Sequence, residues 1–212
     1  VTGCAVDAPR PALLPPPAET RPGTLFALVP PAVVSRFGEW RGEGGTARPA
    51  RHAGIDIRAV TGTPVLAAAD GIVLRTGSQV VAGRLIVLGH DLDLTTAYYH
   101  LSVVDVVPGQ AVRRGQVIGR AGTTGNATAP HLHFGVCRRE GGVCGEGIDG
   151  GWEDPTRHWI AANPCFVAGH SYPPQDRRLT YPVPCHPAPA MSHPIERAPG
   201  AARGPQASPK PG

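Results

Sequence analysis

Pro130-His131-Leu132-His133-Phe134 is the stretch around which the chain reads. Two histidines flank one apolar residue, and apolar positions continue through Phe134 and Val136. In an extended strand alternate side chains leave the same face. His131 and His133 are therefore expected to point together into one space, with Leu132 pointing away from it. A bare His-x-His fits two solvated strand residues equally well, so its meaning depends on whether other ligand-type residues reach the same place.

Two other segments supply such residues. His52-Ala53-Gly54-Ile55-Asp56 puts a histidine just before a strand and an aspartate within it, on the face opposite Ile55 and Ile57, with Gly54 permitting a close approach. Tyr98-Tyr99-His100-Leu101 adds a fourth histidine, and simple alternation puts His100 on one face with Tyr98, so that Tyr98 is free to line the same groove. Between Arg51 and Leu101 the chain reads as consecutive short strands: Ile55 to Ile57, Val65 to Ala69, Ile72 to Leu74, Leu85 to Leu88 and Thr95 to Leu101. Gly62, Gly71, Gly77, Gly83 and Asp91 act as breaks. No capped amphipathic helix interrupts them. The expected fold class is mainly β, with antiparallel sheets and few short helices. One such helix is expected from Pro155 to Ala162, with Asp154 as its N-cap.

Composition narrows the function classes. The 212 residues include 28 Gly and 25 Pro, and aromatics make up only 5%, so the core has to be built from Val, Leu, Ile and Ala. The net charge of +4 favours polyanionic surroundings such as a cell wall or membrane surface. The basic residues are scattered arginines and a single lysine, Lys210, with no basic stripe interleaved with aromatics, which argues against nucleic acid as a partner. Gly109 to Gly119 echoes Gly62 to Gly71 in the manner of biotinyl and lipoyl carrier half-turns. A carrier needs an acceptor lysine in that region, and there is none.

No Cys-x-x-Cys occurs, so a thiolate zinc site is not indicated. Cys137, Cys144, Cys165 and Cys185 are enough for two disulfides, most simply Cys137 with Cys144 and Cys165 with Cys185, although four cysteines allow three connectivities. Such bonds point to an oxidising, extracytoplasmic compartment. The opening Val1-Thr2-Gly3-Cys4 resembles the lipobox of bacterial lipoproteins, which would make Cys4 a lipid-anchoring site at the membrane. No apolar run is long enough to span a bilayer.

Taken in order, the motif blocks resemble the lysostaphin-type (LytM) zinc peptidases of bacterial cell walls. They are Ser35-Arg36-Phe37-Gly38, His52-x-x-x-Asp56, Ala69-Asp70-Gly71-x-Val73, Tyr98-x-His100-Leu101, the Gly109 to Gly119 block, Gly122-x-Thr124-Gly125 and Pro130-His131-Leu132-His133-Phe134. The resemblance implies an antiparallel β fold with an open groove, and zinc held by His52, Asp56 and His133. His131 and His100 would be catalytic residues lining the cleft without binding metal. It further implies a zinc metalloendopeptidase hydrolysing peptide cross-links of peptidoglycan, outside the cytoplasm. The alternative is a non-catalytic LytM-type regulator of cell-wall hydrolases, though such regulators have typically lost the ligands that are intact here. Many relatives carry an acidic residue where this chain has Gly135.

The domain layout expected is a Pro-rich linker over 1–24, a peptidase domain over 25–165, a disulfide-tied extension over 166–185 with an irregular hairpin, and a disordered Pro/Ala-rich tail over 186–212. His90 is expected to be structural, while His158, His170, His186 and His193 have no assigned role. The loop from Gly122 to Ala129 is either substrate-facing or a plain connection.

Overall fold

The computed structural model describes residues 28–41, 50–90, 93–138, 144, 150–161, 163–172 and 178–188. The strands are β1 (Leu28–Val29), β2 (Val33–Ser35), β3 (Trp40–Arg41), β4 (Ala50–Arg51), β5 (Ile55–Arg58), β6 (Pro64–Leu66), β7 (Gly71–Gln79), β8 (Gly83–Gly89), β9 (Leu94–Val104), β10 (Ala111–Val112), β11 (Val117–Ala121), β12 (His131–Arg138), β13 (Trp152–Glu153) and β14 (His186–Pro187). The main sheet runs β10-β7-β8-β9-β12-β5-β2, every pairing antiparallel, and β11 bridges β6 and β9. The mainly antiparallel β class expected from the alternation is the class observed.

The histidine strand β12 lies between β9 and β5. Its even positions Leu132, Phe134 and Val136 are fully buried with Ile55, Ile57, Tyr98, Leu101 and Ile118. Burial of each such side chain contributes about 1.5–3 kcal/mol, so the apolar face fixes which way the odd positions of β12 must point.

Tyr98 departs from the expected arrangement. Its ring is buried against Phe134, with centroids 5.3 Å apart, and its hydroxyl accepts from the Ala68 N–H. The cause is a β-bulge: Arg84 pairs with Leu101 and Ile86 with Tyr98, so Tyr99 and His100 together oppose the single residue Leu85. His100 takes φ 62°, the left-handed region, which breaks the alternation. Tyr99 thereby turns to the face that simple alternation gave to Tyr98.

The 3-10 turn Pro155–His158 is shorter than the helix expected, and Asp154 caps it by accepting from the Thr156 N–H. Both disulfides are present, Cys137–Cys144 and Cys165–Cys185. The described part of 166–185 forms no hairpin ladder. Instead a single parallel bridge joins Leu179 to Trp159, and Leu179, Tyr181 and Val183 enter the core. Trp159 stacks on Phe134 and tilts against Tyr181, which ties this segment to the back of the histidine strand. His186–Pro187, assigned to the tail by composition, pair with β1, because the Cys165–Cys185 bond delivers the chain to that edge. Cys4, the 1–24 linker and the tail beyond 188 lie outside the described residues.

Because Leu179 is fully buried, Leu179→Ala is expected to cost about 3 kcal/mol in urea denaturation. A loss below ~1 kcal/mol would mean that the segment is only loosely attached.

Candidate metal centre and cleft histidines

The site is built where β12 meets β5. Backbone pairing puts His133 opposite Asp56 on one side and Tyr99 on the other. His52 comes from the turn before β5, and the Ser35-Arg36-Phe37-Gly38 block holds it. The His52 N–H donates to the Glu39 carbonyl, the Gly38 N–H donates to the His52 carbonyl, and His52 Nδ1 lies 2.9 Å from the Arg36 carbonyl. A carbonyl can only accept, so Nδ1 carries the proton and Nε2 turns its lone pair inward.

Three electron-pair donors then converge. His52 Nε2 lies 2.9 Å from His133 Nδ1, and each lies 3.1 Å from Asp56 Oδ1. One proton on His133 is all that can sit among them, whereas a cation would satisfy all three at once. These ligand atoms lie within 4.8 Å of one another and their residues are buried. Two imidazole nitrogens and one carboxylate oxygen form the donor set of a catalytic transition-metal site with a position left open.

The charge states suit a cation. Burial pushes the Asp56 carboxyl up, but the imidazoles of His133 and His52 packed against its Oδ1 outweigh it and hold the group well below the usual carboxylate range. Burial lowers His133 to about 4, against the pull of Asp56, so its imidazole is neutral at pH 7.

The two remaining histidines share one geometry. His100 Nδ1 donates to the Thr124 carbonyl and His131 Nδ1 to the Ala129 carbonyl, each at 2.8 Å, so both present Nε2 as the acceptor. Their rings lie 4.7 Å apart, and His131 Nε2 is 3.6 Å from Asp56 Oδ1. Burial also lowers the pKa of His100, keeping it neutral, although its bond to Thr124 opposes this. The Gly122 to Ala129 loop thus does more than connect, since two of its carbonyls set the tautomers of both cleft histidines. All five residues singled out in the sequence are brought to one place.

Other features of the site are visible only in three dimensions. Tyr99 stacks on His133 with an interplanar angle of 8°. Gly54 serves His133: a Cβ there would lie 2.7 Å from His133 Nε2 and 2.6 Å from the Phe134 carbonyl. At Gly135 a Cβ would meet the Trp152 ring at 2.5 Å, so the indole of β13 fills the space that a side chain there would take. His90 is structural as expected, bonded to the Asp70 carbonyl and to Thr96 Oγ1. His158 pairs with Glu153 at 2.8 Å.

A chain with this sheet and this donor set has the make-up of a metallopeptidase, and comparison with known proteins agrees. Residues 50–144 match Peptidase family M23. The peptidoglycan DD-endopeptidase ShyA of Vibrio cholerae is 45% identical over 89 residues, covering 42% of this chain and 21% of that protein. The DD-carboxypeptidase/endopeptidase Mpg of Neisseria meningitidis is 43% identical over 83 residues, covering 39% and 19%. Among solved structures, the catalytic domain of the antimicrobial peptidase lysostaphin from Staphylococcus simulans aligns with a TM-score of 0.50 and 31% identity, over 57% of this chain and 86% of that one. The chain belongs to peptidase family M23. Its match spans only about a fifth of the length of these two curated relatives.

Two outcomes are expected here. Gly54→Ala must displace His133 or the backbone beside it, and should weaken transition-metal affinity by about ten-fold or more in a competition titration with a chromophoric chelator. Unchanged affinity would show that the ring has room to yield. The second concerns pH in chelator. Between about 4 and the ordinary histidine value of 6.5, the unfolded chain takes up a proton that folded His133 refuses, so metal-free stability should fall as pH drops through that window. Asp56 adds a further loss below 3.8. His133→Gln should flatten the upper part of the dependence of melting temperature on pH, and an unaltered slope would contradict the assignment.

Proposed function

We propose that this chain is a zinc-dependent endopeptidase that hydrolyses peptide cross-links of bacterial peptidoglycan. The observation that carries the reading is the convergence of His52, Asp56 and His133, with two further histidines, His100 and His131, held beside them. His52 Nε2, Asp56 Oδ1 and His133 Nδ1 would hold the ion. When bound, zinc supplies Lewis acidity and a water whose pKa falls to roughly 7.

The chain's own contribution is orientation and proton handling. Of His131 and His100, each with an accepting Nε2, one takes the proton from the attacking water, becomes an imidazolium donor to the tetrahedral oxyanion and returns that same proton to the leaving amine, while the other orients the water by accepting a hydrogen bond from it. The buried state of His100 keeps it unprotonated at neutral pH and ready for that role. Tyr99 limits the tilt of His133 by stacking on it.

The printed names of two relatives, a peptidoglycan DD-endopeptidase and a DD-carboxypeptidase/endopeptidase, support a wall-peptide substrate. The two disulfides and the positive charge fit an extracytoplasmic setting against an anionic wall. We take the functional unit as 25–165 with 166–185 tied to it, and Cys4 as the point of lipid anchoring. A purely regulatory role has no observation in its favour, because the ligand set is complete.

Purified protein should release soluble muropeptides from sacculi and stop doing so in chelator. His133→Ala should lose both zinc, by elemental analysis, and release. His131→Ala should keep zinc and lose about 100-fold or more in rate. Equal loss of zinc in both variants, or undiminished release by His133→Ala, would refute the assignment.

A further inference from the structure

Asp56 has two carboxylate oxygens, and they have different neighbours. Oδ1 faces His52 Nε2 and His133 Nδ1 at 3.1 Å. Oδ2 is held by Arg41 Nη2 at 2.5 Å, from the β3 strand that pairs with β4 above the site. The pair is lopsided in exposure: the Arg41 side chain is 47% exposed and that of Asp56 only 7%. Surface ion pairs contribute little to stability, and this one costs a long side chain its freedom at the rim of a groove. Its geometry, a charge-assisted bond placed on the carboxylate oxygen other than the one that the imidazoles of His52, His131 and His133 approach, suits another purpose.

We propose that Arg41 is a positioning residue that guards the second oxygen of Asp56, confining this carboxylate to one-oxygen ligation and so keeping a coordination position open for water and substrate. The inference rests on the metal-site reading above and adds to it. A carboxylate free at both oxygens can take two positions on a metal, and metals in catalytic sites of this kind expand readily to five ligands. With Oδ2 engaged by a guanidinium, only Oδ1 remains to be offered. The nearby cation also repels a bound metal ion, so Arg41 trades affinity for openness.

A merely structural role predicts the opposite sign, because loosening Asp56 would weaken metal binding. The contact is made through a single nitrogen, so a lysine ammonium can replace it, whereas methionine has similar length but no donor.

The test uses the full chain, stripped with chelator and reloaded with zinc or cobalt(II). Arg41→Met should bind zinc more tightly than wild type, on the order of ten-fold from the lost charge repulsion and the added oxygen. Its cobalt form should show the weak visible absorption of a higher-coordinate ion, whereas wild type and Arg41→Lys should show the stronger absorption of a four-coordinate one. Zinc affinity in Arg41→Met that is equal to or weaker than wild type, with unchanged cobalt absorption, would overturn the proposal. Failure of wild type itself to take up either metal would overturn the His52, Asp56 and His133 assignment first, and this inference with it.

Discussion

Antiparallel register between β12 and its two neighbours is the constraint on which the site rests. His133 faces Asp56 across one ladder and Tyr99 across the other. A slip of one residue in either pairing would turn the imidazole into the core and Phe134 out to water. The buried cluster of Leu132, Phe134, Tyr98 and Ile55, with the partly buried Trp159 packed against it, makes such a slip costly by several side-chain burials, on the order of several kcal/mol. Placement of the metal-binding atoms is therefore a by-product of packing on the opposite face of the same strands. The segment around Leu179 and Tyr181, though remote in sequence, supports that packing from behind through Trp159.

Backbone carbonyls complete what the register begins. Those of Arg36, Thr124 and Ala129 each accept the Nδ1 proton of a histidine, and so decide that His52, His100 and His131 present Nε2. His133 is the exception, turning Nδ1 inward. Burial keeps His133 and His100 neutral, while the imidazoles packed against its Oδ1 keep Asp56 ionised. The outcome is one carboxylate oxygen and two imidazole nitrogens converging on one point. That arrangement is costly to leave unfilled in a low-dielectric setting and is well matched to a divalent cation.

Much of this was legible in the chain because strand alternation and ligand spacing are local properties. His-x-His on a strand, His52 four residues before Asp56, and glycine breaks between short apolar runs point to the class of fold, and the resemblance to the lysostaphin-type peptidases singles out the five candidate residues that the fold brings together. What escaped was set by departures from regularity or by distant partners. The Tyr98 and Tyr99 faces are exchanged by a bulge that leaves His100 at positive φ, which period-two reasoning does not anticipate. Gly54 was expected to permit a close approach between His52 and Asp56, and its missing side chain makes room for His133 from another strand. Trp152 fills the space at Gly135, and Arg41 reaches Asp56 from a separate hairpin, neither signalled by any local motif. The contribution of residues 179–183 to the core was hidden for the same reason, since composition near a Pro-rich tail says little about long-range packing.

The most direct test of the central claim, that two imidazoles and one carboxylate form the metal site while the other two histidines stay off it, is zinc K-edge X-ray absorption on the loaded protein. The account predicts nitrogen and oxygen neighbours at about 2.0–2.1 Å, outer-shell scattering from two imidazoles, and no sulfur. Scattering from three or four imidazoles would put His100 or His131 on the metal and contradict the division of roles, as would any sulfur neighbour.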